Sequence, residues 1–444
     1  MIFQLTLLIG NFGESIIKIK KINLLYILFV SLCFHNFYRL SYAYVLLPMT
    51  IYFLLFISHN WKNLRVSSSN KIFLSYLFIL FMSLYIVAIS FANEGFNYTI
   101  IGISRYFYVL IITLLVFIIV KNENTVNNIL HLYVLCIAIG SLSLPLQLFT
   151  GPISWFTIPT IRGGLQRYSS LFGNVSAMGI VGGTGLVAAL LLNYNNKYIK
   201  RIILLSILIG MGMSLQRAGI ANIILAIMVY YYLNDIRPSK KILLLLTSGS
   251  FFILTILLLL NYEPTKFYIS FFLTTLGLNS GVNALVDYTP ISEQIYYRLF
   301  TNIFVHFNLR LGLIKSFTGL GFSGLGGVLG QKGSFTHNDI FNIVSVGGIF
   351  YLFIYIYLFV YIIVTLKKYI KISKKIGSKL LTNNLVVLFG AHLLFIINIP
   401  VGSGNFIHPN HSILFWTTVG LLSGHYYRLF NSTNKNQLNK YAYR

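Results

Sequence analysis

Long apolar runs separated by short polar breaks make up almost the whole chain. A membrane-spanning helix needs about 20 consecutive, mostly apolar residues. Read against that length, the runs give twelve candidate spans: 22–38, 42–58, 72–92, 99–120, 126–149, 171–192, 202–215, 218–233, 242–261, 338–366, 383–400 and 411–427. The predicted fold class is therefore all-α, a polytopic membrane protein with about 12 transmembrane helices forming one domain over 1–444. The run 202–233 must cross twice, and legs of about 15 residues rise only ~22 Å against a core of ~30 Å. Its tip, GMGMSLQRAGIAN around Arg217, is predicted to stop inside the outer leaflet. The first run, Met1 to Phe12, is too short to span and lacks a basic start, so an interfacial start is predicted.

Charge gives these spans a direction. Of the 33 basic residues, 23 fall in every second linker, the densest group being Lys367, Lys368, Lys371, Lys374, Lys375 and Lys379. The positive-inside rule makes those linkers cytoplasmic. An even number of spans with basic flanks at both ends places both termini in the cytoplasm. The one long linker, 262–337 between the ninth and tenth spans, is then external, as is 150–170. A hydrophobic content of 57% with 9% charged residues fits a membrane protein and leaves no soluble basic domain. The net charge of +25 thus follows topology, and no nucleic-acid partner is predicted. Cys33 and Cys136 both lie inside apolar runs, which excludes a disulfide framework or a cysteine metal site.

The ten remaining basic residues, mostly arginine, lie on or near the external face, where charge bias does not account for them. Arg162 and Arg167 sit in the loop 150–170, and Arg217 at the tip of the short hairpin. An arginine held away from water marks a polar cavity or a partner, although a snorkelling side chain is the plainer alternative. In the long linker, Arg298, Asn302, His306 and Arg310 recur every four residues. On a helix they form one polar stripe. That stripe suits equally an amphipathic helix lying on the membrane or a face for an anionic headgroup. Seven glycines between Gly319 and Gly333 allow tight turns and close backbone approach to a ligand.

The external acids Glu94, Glu263, Asp287, Glu293 and Asp339 are unpaired in sequence, and no His/Asp/Glu cluster has metal-ligand spacing. A metal-dependent sugar-nucleotide transferase or a two-carboxylate glycosidase is therefore poorly supported, and no metal or other cofactor is predicted. Guanidinium groups suit bidentate phosphate recognition, which points to a phosphorylated or diphosphorylated lipid. His337 opens the tenth span, with Thr336 or Asn338 as helix N-cap. The positive end of the helix dipole favours neutral imidazole, the form a general base requires. An interfacial histidine with no catalytic part is the plainer reading of the same position. His306, His408 and His411, also external, lack comparable context.

The stretch HNDIFNIVSVGGIFY is similar to a pattern of the O-antigen polymerase and O-antigen ligase superfamily of membrane glycosyltransferases: His-Asn, nine residues, Gly, two residues, then Gly, Thr or Tyr. His337, Asn338, Gly348 and Tyr351 occupy its fixed positions. RYSSLFGNVSAMG resembles the family's segment opening the sixth span, with the Arg-x3-Leu spacing of the ligases at Arg167 and Leu171. SLQRAG around Arg217 resembles its Ser-x-x-Arg-Ala/Gly turn. The Arg-x10-Gly spacing of the polymerases occurs twice, Arg162 to Gly173 and Arg310 to Gly321.

The resemblance implies a multi-pass enzyme of the bacterial inner membrane, with a periplasmic active site and an undecaprenyl-diphosphate-linked oligosaccharide as donor. It implies a metal-independent, inverting transfer in which His337 takes the proton of an acceptor hydroxyl. Arg167, Arg217, Arg298 and Arg310 would hold the diphosphate, with Arg162 in second rank. A second lipid-linked repeat unit as acceptor makes a polymerase, with a chain-length regulator as a further partner; lipid A–core makes a ligase. The paired Arg-x10-Gly spacings favour the polymerase. Twelve spans also suit a lipid-linked glycan transporter, although the chain shows no internal repeat. A structural membrane subunit leaves the external arginines without a role.

The charge asymmetry generates one test. Cysteines introduced at Gly281 and Ser378 should differ towards an impermeant reagent in intact cells with a permeable outer barrier. Labelling is expected at 281 and not at 378; the reverse pattern overturns the topology.

Overall fold

The structure is a computed structural model, and it describes residues 21–34, 69–94, 110–153, 160–162, 165–173, 175–214, 217–234, 314, 317–322, 338–400 and 408–431. The predicted spans 42–58 and 242–261, both termini and most of the linker 262–337 lie outside the described residues. The described helices are α1 (Lys21–Cys33), α2 (Lys71–Glu94), α3 (Leu110–Ile119), α4 (Glu123–Thr150), α5 (Val175–Leu191), α6 (Lys197–Met213), α7 (Arg217–Leu233), α8 (Asp339–Ile376), α9 (Lys379–Asn398), α10 (Pro409–Ser423) and α11 (His425–Asn431). Four of them, α2, α4, α8 and α9, are long and apolar enough to cross a membrane. Among the described residues the architecture is helical apart from one antiparallel hairpin of β1 (Thr160–Arg162) and β2 (Leu165–Arg167), which the all-α prediction did not include.

Helix α5 sits at the centre, against α4, α6, α7, α9 and α10. Every residue from Ala177 to Ala189 is buried, as expected of a helix apolar on all sides. Its glycines decide how close the neighbours come. A methyl group at Gly182 would stand 2.5 Å from Met211 Cγ of α6. One at Gly183 would stand 2.8 Å from Asn222 Cβ of α7 and 2.9 Å from Leu394 Cδ2 of α9. One at Gly185 would collide with Ile137 of α4. Small residues allow this approach, and in lipid van der Waals packing replaces the hydrophobic effect between helices. The outside of the bundle is apolar too: Phe78, Phe81 and Leu84 on α2, and Phe350, Phe353 and Val360 on α8, are exposed. That inverts the pattern of a soluble helix.

Hydrogen bonds align the helix ends in two groups. At one end Asn70 donates to Ser423 O at 2.7 Å, and Arg428 reaches Phe117 O and Val120 O at 3.3 and 3.2 Å. Lys200 Nζ donates to Leu190 O and Leu192 O at 2.7 and 3.1 Å, closing the C-terminal carbonyls of α5. Lys121, Arg201 and the exposed lysines from Lys367 to Lys379 lie at this same end. The described helices therefore alternate in direction in step with the lysine-rich linkers.

Three predicted spans differ from the structure, and one of them, 411–427, is interrupted at Gly424 between α10 and α11. The tip hairpin starts earlier than predicted: α6 begins at Lys197, so α6 and α7 are 17 residues each. Each then rises about 26 Å, still short of a full core. The tenth span continues ten residues further, to Ile376, and is broken at Gly348 (φ 81°, ψ 178°). Helix length explains why it must bend. A straight helix of 38 residues would run roughly 57 Å, against about 30 Å for the 20 residues of α9. Yet the two meet at both ends, through Asp339 N–H to Ile399 O at 3.1 Å and through the turn Gly377–Ser378. The first part, Asp339–Gly347, therefore folds back from the rest of α8.

Residues 317–322 fill this break. Leu320 N–H donates to Ser345 O at 2.7 Å, and Phe322 N–H to Ser90 Oγ of α2 at 2.7 Å. A side chain at Gly348 would strike Phe317 O, and that backbone region is open to glycine almost alone, at a cost of about 1–3 kcal/mol for other residues. Gly348→Ala should therefore lower the unfolding midpoint and the yield of folded protein. Thermal unfolding in detergent checks this, with Gly212→Ala, where a methyl group meets nothing, as the neutral control.

Candidate functional site

The N-termini of α7, α8 and α10 gather at the end of the bundle opposite the lysines. At α8, Asn338 is the N-cap: its side chain accepts from Ile340 N–H at 3.0 Å while being 2% exposed. This decides between the two predicted caps. Asp339, fully buried in the first turn, accepts from Asn342 Nδ2 at 3.1 Å. A carboxylate there complements the helix dipole. His337 lies outside the described residues, as do Arg298 and Arg310.

Three predicted arginines have a described backbone. Arg217 is the first residue of α7, where Gly219 passes Gly179 of α5 closely. Arg162 and Arg167 belong to the hairpin, in which Thr160 pairs with Arg167 and Arg162 with Leu165. The chain after β2 is tied down on two sides. Gln147 Nε2 of α4 donates to Ser169 O at 2.9 Å, and Leu171 N–H donates to Ser143 Oγ at 2.8 Å. From the other side, Asn410 Nδ2 of α10 donates to Phe172 O at 2.6 Å. The chain that follows the hairpin and α10 are thus brought together, while the start of α7 and the start of α8 meet through the end of α9.

Several participants were not legible in sequence. Asn222, Asn398 and Asn410, each buried, carry the bonds between helices. For Asn222 and Asn398 a lone asparagine in an apolar run is the sequence signal; Asn410 lies in the polar stretch 408–412. Of the seven glycines predicted to allow tight turns and close backbone approach, Gly319 and Gly321 let the chain approach Val346 O and Ser90, at φ 79° and 72°. His408 and His411, set aside in sequence, gain a context here. His408 is the N-cap residue of α10, and the two rings stand 5.3 Å apart.

His411 also lines a cavity with Tyr133, Thr184, His392 and Thr418. Tyr133 OH and Thr184 Oγ1 pair at 2.8 Å, and His392 Nε2 has no hydrogen-bond partner. The free volume of about 10 Å³ is at the threshold for a single water, so no substrate fits there.

At the lysine end a second polar cluster surrounds Glu123. His425 Nε2 stands 2.7 Å from its Oε1, while Asn384 Nδ2 and Tyr426 OH donate to Oε2 at 2.9 and 3.3 Å. The cluster joins α4, α9 and α11 and lies far from the candidate site.

No protein-family model matches the chain, and no curated protein matches it. The functional reading therefore rests on the residues themselves.

The separation of the two clusters can be tested. Glu123→Ala leaves buried donors without an acceptor and breaks a buried pair, a loss of about 3 kcal/mol or more. The unfolding midpoint should fall clearly, while ligand binding per folded molecule at the opposite end stays at the wild-type level.

Proposed function

We propose that this chain is a glycosyltransferase of the bacterial cytoplasmic membrane, acting on its outer face and related to the O-antigen polymerases. The observation that carries the reading is what the described residues of the matched pattern do. Asn338 caps the helix that follows His337, Gly348 occupies a conformation other residues avoid, and Tyr351 is fully buried. Asn338 and Gly348 thus have a physical requirement for their residue type, and Tyr351 sits in the packed interior. The two Arg-x10-Gly spacings are supported in the same way, since neither Gly173 nor Gly321 has room for a side chain.

In this reading the donor is a glycan on undecaprenyl diphosphate. Arg167, Arg217, Arg298 and Arg310, with Arg162, hold the diphosphate and stabilise charge on it as it leaves. The acceptor hydroxyl gives its proton to His337. Its oxygen bonds to the anomeric carbon from the face opposite the diphosphate. The bond from that carbon to the phosphate oxygen breaks with its electron pair going to the leaving group, which inverts the centre. The acceptor is a second lipid-linked repeat unit.

One observation favours another class. A helix broken beside a buried polar N-terminus is a device of secondary transporters, so a lipid-linked glycan transporter is the second reading.

Reconstitution with lipid-linked repeat units, with and without lipid A–core, separates these readings. A glycan ladder without core is expected; transfer only to core shows a ligase, and binding without any transfer supports the transporter. In the same assay His337→Ala should lose about 10²–10⁴ in turnover, the usual cost of removing a general base, while donor affinity is nearly kept. Unchanged turnover per bound donor makes His337 structural and sinks the mechanism.

A further inference from the structure

After the break at Gly348, α8 keeps one face turned outward to its end. Phe350, Phe353, Tyr357, Val360 and Val364 are exposed at steps of three or four residues, the spacing of a single helix face. The same steps continue through Lys367 and Lys368, then Lys371, then Lys374 and Lys375, all exposed. The opposite face is packed inside: Tyr355, Ile362, Leu366, Tyr369 and Ser373 are buried. One outward stripe is therefore apolar at first and becomes basic one turn after Val364.

Length places that change at the membrane boundary. The part of α8 after Gly348 rises about 42 Å, roughly 12 Å more than the hydrocarbon core. The run from Lys367 to Lys375 also rises about 12 Å. α8 carries no acid after Asp339, and Glu123, at the same end of the bundle, is buried in its pair with His425. Lys367 rests over the Phe389 ring of α9 at 5.8 Å. Orientation alone does not require so many charges, since Lys197, Lys200 and Arg201 serve the start of α6 with three.

We propose that this stripe is a binding face for anionic phospholipid, with acyl chains along Phe353 to Val364 and the phosphate held by Lys368, Lys371 and Lys375. A lysine suits that boundary, because its apolar stem covers the helix while the ammonium reaches the headgroup layer. An acidic protein would engage the lysines and leave the apolar part of the same stripe uncovered. Continuity of the two parts on one face selects the lipid. The inference goes beyond the glycosyltransferase reading and does not depend on it.

The test uses the full chain with Val364→Cys carrying a fluorophore, the native Cys33 and Cys136 being buried. It is reconstituted in vesicles of equal parts phosphatidylglycerol and phosphatidylcholine, with brominated chains on one lipid or the other. Bromine quenches on contact, so the two quenching levels report which lipid lies against α8. Phosphatidylglycerol should be preferred about fivefold, the share of one lysine near an anionic surface. The preference should fade as salt rises from about 0.01 to 1 M, where the screening length shrinks from ~30 to ~3 Å. Lys368→Gln, Lys371→Gln and Lys375→Gln together should remove most of it, while Lys367, Lys374 and Lys379 remain to orient the helix. Lys371→Gln alone should lower it and serves if the triple variant does not reconstitute. Arginine at the same three positions should keep it. No preference in the parent, a preference that survives the glutamine variants, or one lost with arginine overturns the proposal. So does release of phosphatidylglycerol by glycerol phosphate at constant ionic strength, which marks a site for a free anion, or by polyglutamate, which marks a site for an acidic protein.

Discussion

Close approach to α5 is the constraint on which the rest of the bundle depends. Gly182, Gly183 and Gly185 present no side chains, and α6, α7, α9 and α4 come to rest against them. In a solvent as apolar as lipid, helices gain little by hiding leucines from it. Contact area and backbone proximity decide association. A helix with larger residues at these three positions would push its neighbours apart by an ångström or more. The bonds between Asn222, Asn398 and Gly179 would then be out of reach.

The same solvent explains why the polar groups lie where they do. A buried donor without an acceptor is costly when no water can replace the partner. Most polar side chains between these helices accordingly reach a carbonyl or one another, as Asn70 reaches Ser423 O and Asn410 reaches Phe172 O. They concentrate at the two ends of the bundle and do different work there. At the lysine end, Glu123 with His425, Asn384 and Tyr426 ties three elements into a rigid base. At the other end the bonds are made by helix N-termini and by the chain after the hairpin, the elements that carry the candidate arginines and precede or follow the candidate base.

The break at Gly348 belongs to this division. It turns nine residues of α8 out of line with the long helix, so that Asn338 and Asp339 arrive at the end of α9. Residues 317–322 occupy the break through Leu320 and Phe322. The long linker is thereby attached to α2 and α8 just before the pattern that contains His337. Dock and break are mutually dependent: without the docked segment, Ser345 O would lack its donor from Leu320, and without glycine at 348 the segment would have no place.

Run length and charge alternation are local properties of the chain, and they sufficed for the approximate place and the relative direction of the described helices. A hydrophobic stretch answers to membrane thickness regardless of its neighbours. The Asn338 cap was legible as one of two choices, because capping depends on three or four adjacent residues. The early start of α6 is also local, since Asn196 caps it by accepting from Tyr198 N–H at 2.8 Å. Only tertiary structure decided the break in α8, since a Gly-Gly pair becomes a break when another segment docks against it. Glu123 and His425 stand 302 residues apart, and Asn222 and Asn398 176. Such pairs depend on which helices become neighbours. That choice is made by the glycine surface of α5 and by the need to satisfy every buried polar group, neither of which can be read from a single run.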